Sequence, residues 1–93
     1  MEAVKRVLIA DTGEGSRRGL AEYLDQEADF QVVGQTEDGS ALLRMVRELQ
    51  PDAVVMDLVL TGMDGLEVVE ELNALPNRPK ILILTRYTRG NII

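Results

Sequence analysis

A short apolar run that ends on an acidic residue constrains this 93-residue chain more than any other feature. The run Ala53–Met56 is apolar throughout, and Asp57 follows it directly. Such a run is typical of a strand buried on both faces, as in a parallel sheet. A second apolar run, Val7–Ala10, ends in the same way on Asp11. Because open α/β sheets carry their chemistry beyond the carboxyl ends of the strands, the two acidic residues predict a site at one sheet edge.

Strand patterns alternate with helix patterns along the chain. This alternation with short loops favours an α/β fold with a parallel sheet and right-handed crossovers, within one domain at this length. The predicted strands are 4–10, 30–34, 53–56 and 80–84, the predicted helices are 17–27, 41–49 and 65–75, and the predicted turns are 11–16 and 85–93. Residues predicted to share a helix face are Leu20 with Leu24, then Leu42, Val46 and Leu49, then Leu66, Val69 and Leu72.

Two acidic residues show the pattern of helix caps. Asp38 lies in a turn with a capping residue just before the second predicted helix. Asp64 precedes the third helix and is followed by Glu67, three residues on. This spacing matches a capping box, so we expect Asp64 to cap the helix and to have no chemical role.

The composition excludes several classes of function. The chain has no cysteine and no histidine, which removes disulfides, thiol chemistry, a histidine base and the usual zinc sites. The net charge of −6 and an aromatic content of 3% argue against binding to nucleic acid or an anionic membrane. No apolar stretch approaches the length of a membrane span, and a cytoplasmic location is the default expectation.

Two carboxylates at neighbouring strand ends predict a metal and a phosphoryl group. If the first and third strands are neighbours, their axes lie about 4.8 Å apart, and Asp11 and Asp57 repel each other unless a cation is present. Magnesium suits such a site because it prefers oxygen ligands and often carries a phosphoryl group. A carboxylate can also act as a nucleophile and form an acyl phosphate.

The chain resembles the receiver domain of two-component response regulators, most closely the sporulation regulator subfamily. The residues that carry the resemblance are Val7–Asp11, Asp38-Gly39, Pro51–Asp57, Met63-Asp64-Gly65 and Ile81–Thr85. It implies a flavodoxin-like, doubly wound parallel sheet of strand order 2-1-3-4. It also implies that residues 1–93 form one receiver domain, with a histidine kinase or phosphotransfer protein as partner and Mg²⁺ as cofactor.

The resemblance also implies roles for individual residues. Asp57 matches the phosphoacceptor, Asp11 an acidic metal ligand, Val59 the residue whose backbone carbonyl binds the metal, and Thr85 the switch hydroxyl. Ordinary alternatives stay open: Asp57 as the cap of a strand, Asp11 as the start of an Asx turn, and Thr85 as a turn hydroxyl.

The sequence departs from the family pattern at three places. Thr12 replaces an acidic residue that the family uses as a metal ligand, so metal affinity is expected to fall, and Glu14 is the candidate substitute. Thr61 replaces a proline after the acceptor, so the loop is expected to be more mobile. The chain also stops before the family's fifth strand, last helices and conserved lysine, for which Arg86 and Arg89 are the candidate substitutes.

This early stop predicts an incomplete domain. An uncovered sheet face and an open edge strand favour self-association. It also keeps a second function open, in which a degenerate receiver acts by protein–protein association without phosphorylation. A third reading, a cofactor-binding or nucleotide-binding domain, depends on a phosphate loop at Gly13-Glu14-Gly15, which lacks the full glycine spacing.

Overall fold

The computed structural model describes residues 4–84 of the chain. Four strands and three helices alternate along this part. They are β1 (Lys5–Ala10), α1 (Glu14–Asp25), β2 (Phe30–Thr36), α2 (Gly39–Leu49), β3 (Ala53–Asp57), α3 (Gly65–Asn73) and β4 (Lys80–Leu84). The three helices within residues 4–84 have 9 to 12 residues, too few to span a bilayer.

The strands form one parallel sheet in the order β2-β1-β3-β4, which confirms the predicted fold class and strand order. Ala10 of β1 lies opposite Thr36 of β2 on one side and Met56 of β3 on the other. Because the strands are parallel, their carboxyl ends meet at one edge of the sheet. The residues that follow this register, Asp11 and Asp57, are therefore neighbours on that edge.

Helices cover both faces of the sheet, as a doubly wound fold requires. On one face, Val7, Ile9 and Val55 form a buried cluster with Ala21 of α1. On the other face, α2 and α3 pack against alternate strand residues in a larger core, whose buried members are Leu8, Ala10, Leu42, Leu43, Val46, Val54, Met56, Val68 and Leu72. The central strands β1 and β3 are thus buried on both sides, in agreement with their uninterrupted apolar runs.

Two helices begin earlier than the sequence predicts. Helix α1 begins at Glu14 rather than at residue 17, with Gly13 as its N-cap. The acidic side chain of Glu14 suits the first turn, where it faces the positive end of the helix dipole. Helix α2 begins at Gly39 rather than at residue 41, because the Asp38 carboxylate accepts a hydrogen bond from the backbone N–H of Ala41.

Helix α3 differs from the prediction at one of the three residues that were predicted to share its apolar face. Leu66 was predicted to share a face with Val69 and Leu72, but it is 59% exposed. Leu72 is fully buried and Val69 partly buried, as predicted, and Val68 is fully buried in place of Leu66. The cause lies at Gly65, whose N–H donates to the carbonyl oxygen of Leu58. A side chain at position 65 would overlap the Leu58 backbone, so this glycine lets the helix approach closely and turns the stripe of residues 65, 68 and 72 towards the sheet.

Candidate functional site

Asp11 and Asp57 are the two buried acidic residues among residues 4–84, and both lie at the carboxyl edge of the sheet. Asp11 is 3% exposed and Asp57 is 5% exposed. Asp57 is the last residue of β3, and Asp11 follows the last residue of β1. The structure therefore brings together the two carboxylates that the sequence predicts at this edge.

Each carboxylate is oriented by the backbone that follows it. Oδ1 of Asp11 accepts a hydrogen bond of 2.9 Å from the N–H of Gly13. Oδ1 of Asp57 accepts one of 3.1 Å from the N–H of Val59. Both are Asx turns, so the ordinary alternative for Asp11 is present in the structure. These turns fix the orientation of both side chains at the carboxyl edge of the sheet.

A positive charge lies beside Asp11 that the sequence pattern did not single out. The Arg17 guanidinium Nη1 donates to the backbone carbonyl of Asp11 over 2.6 Å, from one turn inside α1. Arg17 was predicted to be the first residue of its helix and nothing more. The contact depends on the earlier start of α1, which the helix pattern does not reveal.

The loop after Asp57 is fastened to the turn between β2 and α2. Thr61 and Asp38 form an isolated parallel bridge, and the Thr61 hydroxyl adds side-chain bonds to the same turn. The loop was expected to be more mobile because Thr61 stands where the family has proline. The structure shows that threonine restrains this loop by hydrogen bonds in place of a fixed φ.

The other predicted site residues have different outcomes. Val59 lies in the loop directly after Asp57 with its side chain 64% exposed, and its predicted use of the backbone carbonyl as a metal ligand stays a prediction. Thr85, Arg86 and Arg89 lie outside the described residues. Glu14 does not join Asp11 and Asp57, since no group of three acidic or other metal-binding side chains forms within residues 4–84.

The structure does not support the hypothesis of a phosphate-binding loop at Gly13-Glu14-Gly15. A Cβ atom added at Gly15 would meet nothing within 4 Å, so no close approach of the chain requires glycine there. Residue 15 lies inside α1 rather than in a loop. The segment acts as an ordinary helix start.

Known proteins with the same sequence pattern are two-component regulators. The model of the response regulator receiver domain matches residues 7–92. The chain is 43% identical over 82 residues to the transcriptional regulatory protein LiaR of Bacillus subtilis, covering 88% of this chain and 39% of LiaR. It is 38% identical over 87 residues to the response regulator protein VraR of Staphylococcus saprophyticus, covering 92% of this chain and 41% of VraR.

Solved structures show the same likeness. The signal receiver domain of the response regulator NarL from Mycobacterium tuberculosis superposes with a TM-score of 0.86 at 25% identity, covering 98% of this chain and 73% of that one. A DNA-binding response regulator of the LuxR family from Staphylococcus aureus gives a TM-score of 0.86 at 25% identity, covering 96% and 74%. The chain spans about two fifths of the length of LiaR and VraR. The narrower resemblance to sporulation regulators is not confirmed by these matches.

Proposed function

Because the chain belongs to the response regulator receiver family, we propose that Asp57 accepts a phosphoryl group from a histidine kinase or a phosphotransfer protein. Receiver domains are signalling domains of two-component systems rather than classical enzymes. The only reaction that we propose for this chain is the transfer of a phosphoryl group to its own Asp57, which the chain itself catalyses. The observation that carries the proposal is the pair of buried carboxylates, Asp11 and Asp57, at register-matched ends of neighbouring strands.

The proposed reaction is a transfer between two covalent carriers. A carboxylate oxygen of Asp57 forms a bond to phosphorus while the bond from phosphorus to the donor's histidine nitrogen breaks, and that nitrogen keeps the electron pair. The N–H of Val59 holds Oδ1 of Asp57 and so fixes the orientation of the nucleophile. Thr85 is proposed to place its hydroxyl against the transferred group.

The residues of the site suit a hard divalent cation. The carboxylates of Asp11 and Asp57 and the backbone carbonyl of Val59 would hold Mg²⁺, all of them oxygen donors. When bound, Mg²⁺ neutralises charge on the phosphoryl group in flight. Thr12 is exposed and carries no charge, so it offers at most a neutral hydroxyl. We therefore propose a magnesium site of reduced negative charge.

Restoring an acidic residue at position 12 is expected to raise magnesium affinity. A unit charge about 4 Å from a divalent cation in water contributes on the order of 2 kcal/mol, which is roughly 30-fold in affinity. Thr12→Asp should show this gain in a calorimetric titration with MgCl₂, whereas the matched control Thr12→Asn should stay close to wild type. Equal affinities for the two variants would show that position 12 does not face the metal.

The proposed function is tested by the intact mass of the chain after incubation with acetyl phosphate and magnesium. Addition of one phosphoryl group, with loss of the adduct at alkaline pH, is the expected result because acyl phosphates hydrolyse readily. A chain that keeps its original mass under these conditions contradicts the proposal and favours a degenerate receiver that works by protein association alone.

Two further expectations concern partners. Self-association stays a prediction, supported by the edge strand β4, where Leu82, Ile83 and Leu84 are each at least 36% exposed. LiaR is a transcriptional regulator, but the chain matches only 39% of its length. For this segment we therefore propose signal reception and no direct contact with DNA.

A further inference from the structure

Thr61 links the loop that begins at Asp57 to the turn between β2 and α2. Its backbone N–H donates to the carbonyl oxygen of Glu37 over 3.0 Å, and its own carbonyl accepts from the N–H of Gly39 over 2.8 Å. The two bonds run in opposite directions between the same pair of segments, so they form a short rung of parallel pairing. We call this contact between Thr61 and residues 37–39 the loop clasp.

The side chain of Thr61 strengthens the clasp. Its Oγ1 lies 3.0 Å from the carbonyl oxygen of Glu37 and 3.2 Å from Oδ1 of Asp38. A hydroxyl has one proton, so it donates to one of these acceptors at a time. The other oxygen of Asp38, Oδ2, accepts the N–H of Ala41 and caps α2. One carboxylate therefore joins the loop after Asp57 to the start of α2.

The same turn also supports the other acidic residue. The N–H of Asp11 donates to the backbone carbonyl of Thr36 over 3.0 Å. The Thr36 hydroxyl in turn accepts from the N–H of Asp38 over 3.1 Å. Residues 36–39 therefore contact the backbone on both sides of the site, at Asp11 directly and at the Asp57 loop through Thr61.

The loop between Asp57 and Thr61 has little freedom left once the clasp is closed. The N–H of Val59 donates a hydrogen bond to the Asp57 carboxylate, and the carbonyl oxygen of Leu58 accepts one from the N–H of Gly65. Gly62 follows Thr61 with φ +72°, and a side chain there would overlap the carboxylate of Asp38. The loop is thus held at its start, at Thr61 and at the N-terminus of α3.

We propose that Thr61 is a positioning residue for phosphorylation, because the loop clasp sets the backbone on which Asp57 and Val59 are presented. This role depends on the proposed function of Asp57 and identifies the residue that orients the acceptor loop. Proline, which the family has at this position, has no N–H and no hydroxyl. A proline at position 61 would form neither hydrogen bond to Glu37, so the loop clasp depends on the threonine of this chain.

Three substitutions separate the parts of the clasp. Thr61→Val keeps the shape and the N–H but removes the hydroxyl, Thr61→Pro removes both donors, and Thr61→Ser keeps both. Ser40→Ala is the matched control, since it deletes an exposed hydroxyl in the first turn of α2. Each variant is measured for the initial rate of phosphorylation by acetyl phosphate, the amide hydrogen exchange of Val59 and Gly39, and the denaturation midpoint.

Thr61→Val is expected to slow phosphorylation about 10-fold, the usual lower range for losing a supporting hydrogen bond around a metal or reacting group. It should also speed hydrogen exchange at Val59, while Thr61→Ser and Ser40→Ala stay within about twofold of wild type. Thr61→Pro removes both bonds to Glu37 but fixes φ as the family residue does, so it should lose less activity than Thr61→Val.

The results that overturn the inference are distinct from those that overturn the proposed function. If the wild type is phosphorylated and Thr61→Val reacts at the same rate, or lowers only the denaturation midpoint, Thr61 has no positioning role. If the wild type gains no phosphoryl group, the proposed function fails. In that case, unchanged Val59 exchange in Thr61→Val also overturns the inference, whereas faster exchange retains the clasp as the support of the Asp57 loop.

Discussion

Replacing Asp57 by asparagine is expected to abolish the gain of one phosphoryl group in the presence of acetyl phosphate and magnesium. An amide oxygen is not a nucleophile towards phosphorus under these conditions, whereas a carboxylate oxygen is. The substitution keeps the shape of the side chain, and its amide oxygen can still accept the N–H of Val59. The loss of phosphorylation is therefore expected without a loss of the fold, and intact mass spectrometry measures it directly.

Asp64→Asn is the matched control for this experiment. Asp64 lies seven residues further on and is exposed, and its carboxylate caps α3 by accepting the N–H of Leu66 over 3.2 Å. Asparagine caps helices about as well as aspartate, so this variant should be phosphorylated like wild type. An adduct of equal size in Asp57→Asn would place the acceptor on another residue and contradict the assignment.

The thermal midpoint of Asp57→Asn adds an independent readout. Asp11 and Asp57 are both nearly inaccessible to water and lie on neighbouring strand ends. In buffer without magnesium, removing one of two close negative charges relieves repulsion. The variant should therefore unfold at a temperature no lower than that of wild type. A clear fall in the midpoint would mean that the carboxylate of Asp57 supports the fold itself.

Replacing Leu72 by alanine is expected to lower the free energy of unfolding by about 2–5 kcal/mol, the usual range for deleting a buried leucine side chain. Leu72 is fully buried in the core between α2, α3 and the sheet. A domain of this size commonly has a stability of about 5–15 kcal/mol, so the loss is a large share of the total. Urea denaturation followed by circular dichroism measures it.

Leu66→Ala makes the same chemical change on the same helix at an exposed position. Leu66 is 59% exposed, so its substitution should change the unfolding free energy by no more than about 0.5 kcal/mol. The spacing of apolar residues alone predicts that both variants are strongly destabilised. Similar large losses in both would show that Leu66 is buried together with Leu72, as the sequence predicts, and not exposed.

The helix caps show where local sequence is sufficient. Asp64 caps α3 as predicted, and a cap for α2 was expected in the turn where Asp38 provides it. Both predictions succeed because the acceptor oxygen and the donor N–H are two or three residues apart. Leu72 of α3 is buried as predicted, but the exposure of Leu66 was missed for the opposite reason. It depends on the packing of Gly65 against Leu58, a contact with the end of the sheet that helical periodicity does not encode.

The candidate site also has features that local sequence predicts and features that it does not. Asp11 and Asp57 were predicted from the chain itself, because each ends a short apolar run, and strand ends of a parallel sheet share an edge. The contact between Arg17 and Asp11 was missed because it depends on where α1 begins. Thr61 was taken as a loss of rigidity, since its partners Glu37 and Asp38 lie more than twenty residues away in sequence.

Local sequence patterns were sufficient to predict the alternation of strands and helices, the family and the two acidic residues at the carboxyl edge, because these follow from apolar runs and their immediate neighbours. The exposure of Leu66, the cation beside Asp11 and the restraint on the loop after Asp57 became visible only in the folded chain. These features depend on contacts between segments that are distant in the chain. Such contacts exist only once the sheet has brought the turn at residues 36–39 beside the acceptor loop.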